Sequence, residues 1–175
     1  MTWTTIWDAF TAIGTVAMAA TTGWIILQNK RQHQDALRPV CVLVPDEGLD
    51  QFARRDIVKH YEEPNNPTKF FLIHSGVKNI GGGPAVKLRL VMRFSTNPLA
   101  KPEVELRPLG ANQSISSPIR VPAFLHERFN ASDYQIAPGD VWELWLVYED
   151  VFGNVFHTRH TKNPQQPWAS FGKEK

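Results

Sequence analysis

At 175 residues the chain is long enough for one core of ordinary size plus an appendage, and two full domains with separate cores are excluded. Hydrophobic residues make up 42% and charged residues 21%, which excludes the hydrophobe-poor, charge-rich composition of a disordered chain. A formal net charge of +2 gives no argument for a nucleic-acid partner, which calls for a concentrated basic face, and a single cysteine, Cys41, excludes an intramolecular disulfide.

Residues 10–27 read FTAIGTVAMAATTGWIIL, without a charge, between Asp8 and the pair Lys30-Arg31. As a helix this stretch is about 27 Å long against a hydrocarbon thickness of ~30 Å, so a single transmembrane helix is predicted. Trp3, Trp7 and Trp24 lie toward its ends, where indole rings act as membrane-interface anchors. A cleaved signal peptide would begin with basic residues, whereas the first basic residue here is Lys30; Ala17-Met18-Ala19 imitates a cleavage site, yet the apolar run continues to Leu27. The other competing reading is a buried helix of a soluble fold, favoured by Thr11, Thr15, Thr21 and Thr22, which lower the hydrophobicity.

No basic residue precedes the helix, while Lys30, Arg31 and Arg38 follow it. The loop-charge rule then predicts a single-pass protein of the inner or plasma membrane, with residues 1–9 outside and everything after the helix cytoplasmic. Residues 28–38 form a polar, basic juxtamembrane segment able to extend the helix by two or three turns. Its cations Lys30, Arg31 and Arg38 are also candidates for contact with anionic lipid headgroups, beside His33. Thr11, Thr15, Ala19 and Gly23 recur at every fourth position and form a small-residue stripe. In lipid such a stripe permits close helix approach, so it is a candidate helix-docking face; against this, small residues are common in membrane helices, and Ala17 and Ala20 lie off the stripe.

Residues 39–161 read as a β domain. Residues 40–44 are a continuous apolar run ended by Pro45-Asp46-Glu47-Gly48, and 46–69 is polar and reads as a long loop. Further strands are predicted over 70–79, 85–94, 103–109, 115–121, 141–149 and 154–161. Val86, Leu88, Leu90, Met92 and Phe94 alternate with polar residues, and Trp142, Leu144, Leu146 and Tyr148 form a second inward row. Asp150-Val151-Phe152-Gly153-Asn154 is a natural hairpin connection, with Gly153 or Asn154 available for positive φ. About seven short strands with turn signals between them favour a mainly β fold, an antiparallel two-sheet β-sandwich behind one transmembrane helix. Residues 162–175 form a polar tail in which Trp168 and Phe171 are placed to dock on the domain or on a partner.

Leu37-Arg38-Pro39 after a hydrophobic helix, then 77–85 (VKNIGGGPA), Ala137-Pro138-Gly139-Asp140 and 148–158 (YEDVFGNVFHT), resemble a class of bacterial single-pass membrane proteins of uncharacterised function. The resemblance implies an immunoglobulin-like β-sandwich behind a short membrane anchor, and brings no activity with it.

The candidate chemical groups have ordinary structural readings beside the functional ones. Gly81-Gly82-Gly83-Pro84 is followed by a strand and not by the helix N-terminus a phosphate cradle needs, so a bulge or connection is expected. His157 and His160 would lie on opposite faces of a strand and could not share a metal ion, with His126 upstream. Cys41 sits in an apolar run and reads as core. Asp133, Asp140 and Asp150 lie beside turn residues and would bond local amides. No catalytic, metal or cofactor site is assigned. The expected function is a non-catalytic, membrane-anchored accessory or scaffold subunit whose partners are integral membrane subunits, or further copies of itself through the helix, together with the lipid bilayer. The alternative is a membrane-tethered sensor whose sandwich binds a small ligand.

Overall fold

The computed structural model describes residues 3–45, 57–62, 69–95, 102–122 and 141–173. The protein is mainly β with one N-terminal apolar helix, and divides into two units, Met1–Leu37 and Arg38–Lys175.

In the first unit, helix α1 spans Trp3–Ala36, 34 residues, and so rises about 51 Å. The polar residues after position 27 continue the helix, and the last backbone bond runs from the Leu37 amide to the His33 carbonyl before Arg38-Pro39 ends it. Every side chain from 11 to 33 is exposed. The stretch Thr11–Ala36 is long and apolar enough, by length and composition, to cross a membrane. The threonines that weaken its hydropathy are internally satisfied: the hydroxyls of Thr15, Thr21 and Thr22 each donate to the carbonyl four residues back at 2.8 Å. Bonded in this way, a hydroxyl entering hydrocarbon brings its acceptor with it.

The second unit holds eleven strands among the described residues: β1 (Cys41–Pro45), β2 (Val58–Glu62), β3 (Lys69–Ile73), β4 (Ser75–Asn79), β5 (Val86–Phe94), β6 (Glu103–Glu105), β7 (Ser114–Ile115), β8 (Ile119–Pro122), β9 (Trp142–Glu149), β10 (Val155–Thr161) and β11 (Ala169–Lys173). They form one five-stranded sheet, β11-β10-β9-β5-β6, and two three-stranded sheets, β1-β4-β7 and β2-β3-β8. All pairings are antiparallel. The period-two patterns place the core. Trp142, Leu144, Leu146 and Tyr148 of β9 and Leu88, Leu90, Met92 and Phe94 of β5 are buried together with Cys41, Leu43, Phe71, Ile73, Val77, Ile119 and Val121 from the two smaller sheets. Phe71 meets Phe94 with ring centroids 5.2 Å apart.

Several boundaries differ from the sequence-based expectation. The single run predicted over 70–79 is extended throughout, but changes partners at His74: β3 pairs with β2 and β8, whereas β4 pairs with β1 and β7. Gly76 permits the second arrangement, since a Cβ there would stand 2.6 Å from the Ile115 carbonyl oxygen. The polar interval 46–69, expected as a loop, contributes β2, which is held by its ladder to β3 rather than by its own weak pattern; residues 46–56 and 63–68 lie outside those described. The 115–121 run is divided between β7 and β8, and 103–109 keeps only β6 and a bridge from Leu109 to Ala85. The C-terminal tail is an edge strand, β11, paired with β10.

Candidate functional site

On α1 the residues Thr11, Thr15, Ala19 and Gly23 are all exposed, and nothing comes within 4 Å of a Cβ placed at Gly23. Trp3 and Trp24 are exposed and separated by about 31 Å of helix rise, the thickness of a hydrocarbon core. The side chain of Trp7 lies outside those described. Lys30 and Arg31 are exposed near the end of the helix; Arg38 is exposed at the start of the second unit.

The glycine loop is explained by Asn79, which is fully buried at the end of β4. Its Oδ1 accepts from the amides of Val40 (3.1 Å) and Gly81 (3.0 Å). Its Nδ2 donates to the carbonyls of Gly83 (2.8 Å), Leu109 (3.1 Å) and Gly110 (3.2 Å). One amide thus ties together the segment entering β1, the 81–83 loop and the 109–113 turn. Gly81 is required because a Cβ there would lie 2.4 Å from the Arg38 carbonyl oxygen and the Val40 nitrogen. The Gly81 amide and the Gly83 carbonyl are both bonded to Asn79 inside the protein, so the loop has a structural role.

Asp150 holds the β9–β10 hairpin. Its Oδ1 accepts from the amides of Phe152 and Asn154, both at 2.8 Å, and its Oδ2 from the Asn154 side chain at 2.7 Å, while Gly153 takes φ +81°. Burial pushes this carboxyl upward, but the bonds from Asn154 and Phe152, with the charge of Lys173, outweigh it and hold its pKa below the usual value. Asp133, Asp140 and His126 lie outside the described residues, as does the motif 137–140.

His157 and His160 point to opposite sides of β10: His157 is half-buried on the outer face and His160 is buried in the core. His160 Nε2 accepts from the Leu43 amide at 3.2 Å, and burial lowers its pKa from 6.5 to about 4. Cys41 is fully buried and desolvation pushes its thiol up to about 12, beyond useful nucleophilicity. Among the described residues no three His, Cys, Asp or Glu side chains stand close enough together to hold a metal ion.

Sequence reading missed a cluster on the outer face of the five-stranded sheet. Trp145 lies beneath the Arg93 guanidinium, 4.3 Å from the ring centroid, and beside His157 at 4.9 Å, with Arg159 at 6.0 Å. Glu143 accepts from Trp145 Nε1 at 3.0 Å and pairs with Arg159, which also reaches Gln166. The signal was present in the outward positions of β5, β9 and β10, but which of them meet depends on register: Val91 and Arg159 both stand opposite Trp145. Within the cluster Glu143 and Arg159 neutralise each other, while Arg93 rests on the indole face. Elsewhere, a register shift in β5 between Val86 and Arg89, with Lys87 at φ +47°, opens a cleft of about 380 Å³ lined by Lys87, Arg89, Glu105, Tyr148 and Glu149 among others. Lys87 and Glu149 are ion-paired at 2.9 Å on its rim.

No family model, no curated protein and no solved structure matches the chain, so the functional reading rests on its own residues.

Proposed function

We propose that the protein is a single-pass, membrane-anchored accessory or scaffold subunit without a catalytic role, in which α1 crosses the bilayer and docks on other membrane helices through Thr11, Thr15, Ala19 and Gly23. The observation that carries this reading is the helix itself: 26 residues, Thr11–Ala36, apolar enough to span and unburied, with three threonine hydroxyls already bonded within the helix. In this reading the N-terminus is outside, the domain is cytoplasmic beside Lys30, Arg31 and Arg38, and the domain is an immunoglobulin-like sandwich of the bacterial membrane-anchored class that the motifs resemble. Mass spectrometry of material purified from native membranes in mild detergent should return a stoichiometric membrane partner or a defined homo-oligomer. Replacement of both Ala19 and Gly23 by Leu should remove it. A wild-type chain recovered only as a monomer overturns the scaffold reading, and a C-terminal reporter active only on the outer side overturns the orientation.

A second reading, a tethered sensor, is favoured by the cleft of about 380 Å³ beside Lys87 and Tyr148, which falls within the size range of small-molecule sites. It predicts a ligand-dependent rise in Tm that is abolished by closing the cleft with Leu106→Trp.

A further inference from the structure

The second unit gathers cations and exposed apolar side chains at the end where the chain enters it. Arg38, its first residue, places its guanidinium 4.7 Å from the centroid of the Phe156 ring, and Lys173 Nζ approaches the same ring at 5.5 Å. Lys173 also donates to Asn154 Oδ1 at 3.0 Å, so both cations stand beside the β9–β10 hairpin. The tip of that hairpin is apolar and unburied: Val151 is 53% exposed and Phe152 47%. Ile80, 54% exposed, joins the same end, because its amide donates to the Val40 carbonyl at 2.8 Å and the following Gly81 abuts residues 38–40.

The carboxylates at this end are engaged. Asp150 is consumed by the hairpin amides and Asn154, and Glu149 by Lys87. Among the described residues neither Arg38 nor Lys173 forms an ion pair. The hairpin is rigidly built although its tip touches little, since the turn is fixed by three bonds to one carboxylate and by the positive φ of Gly153. A fixed turn that presents a valine and a phenylalanine to solvent, beside Lys173 and Arg38, neither of them held in an ion pair among the described residues, has the chemistry of a membrane-interface contact: an apolar tip for the headgroup–acyl boundary and cations for lipid phosphates.

We propose that this end of the domain, formed by Arg38, Lys173, Val151 and Phe152, seats on an anionic phospholipid surface. The proposal rests on the reading that the preceding helix anchors the chain in a bilayer, and it adds a second contact that fixes which end of the domain meets the lipid.

The test uses the full chain reconstituted in phosphatidylcholine vesicles with and without phosphatidylglycerol, carrying Phe152→Cys labelled with an environment-sensitive fluorophore. Cys41 stays unlabelled in the folded chain because it is fully buried. A nitroxide near the headgroup end of the acyl chains should quench the label at 152 strongly. It should not quench one at Gln165→Cys, in the exposed turn at the opposite end of β10. Val151→Cys serves as the second variant. Replacing Arg38 and Lys173 together by Gln, at roughly a fivefold loss of surface affinity for each cation, should return the 152 label to water-like emission. Alkaline extraction is run in parallel. If the chain stays in the membrane while 152 and 165 are quenched alike or not at all, the proposal fails and the anchor stands. Quenching that is the same without phosphatidylglycerol overturns the assignment to anionic lipid. Release of the chain by alkali overturns the anchor and the proposal with it.

Discussion

The imidazole of His160 in β10 accepts a hydrogen bond from the backbone amide of Leu43 in β1, joining two sheets across 117 residues of sequence. The bond requires a neutral ring with a free lone pair on Nε2, and burial supplies that by holding the pKa at about 4 against an ordinary value of 6.5.

Acid should therefore destabilise the domain in a defined window. An unfolded His160 takes up its proton near pH 6.5, whereas the folded residue does so only near pH 4, so between these values the unfolded chain binds more protons. Stability contributed by this residue is complete above about pH 6.5 and is lost progressively as the pH falls to about 4, by about 3 kcal/mol in total. Denaturant titrations across this range should show the loss, and His160→Gln should flatten it while lowering stability at neutral pH.

Asn79→Ala is expected to be among the most damaging single changes. It leaves the amides of Val40 and Gly81 and the carbonyl of Gly83 without their partner and removes one of two bonds to each of the Leu109 and Gly110 carbonyls, at a cost of about 3–5 kcal/mol. Asn79→Asp should be no milder, because it sets a carboxylate oxygen against three carbonyl oxygens. Chemical denaturation in detergent measures both.

The glycines should separate by cause. Gly81→Ala forces a methyl onto the Arg38–Val40 backbone and should cost about 2 kcal/mol or more. Gly153→Ala meets no neighbour but must hold φ +81°, costing about 1 kcal/mol. Gly23→Ala meets nothing within 4 Å and should leave the helix intact or firmer. Circular dichroism and denaturant midpoints of the three variants give the ranking.

Trp168 fastens the C-terminal strand, edge-on to Trp142 at 6.1 Å and against His160 at 5.2 Å. Trp168→Ala should free β11, seen as faster hydrogen exchange over residues 169–173 with β9 unchanged, and should cost about 2 kcal/mol.

Local chemistry made part of this protein legible from its residues. The charge-free run of 10–27 is read the same way wherever it stands, since helix length and hydrophobicity are properties of the segment alone. The inward row of Trp142, Leu144, Leu146 and Tyr148 and the Asp150–Gly153 turn follow from periodicity and from hydrogen bonds over two to four residues. Pairing decided the rest. β2 and β11 are weak strands by pattern and exist because a neighbour supplies the ladder, and β3 and β4 are one apolar run whose partners change at His74. The small-residue face of α1 could be read from spacing, but the cluster on Trp145 and the meeting of Arg38 and Lys173 on the Phe156 ring could not. Those contacts join residues distant in sequence, and only the sheet register brings them together.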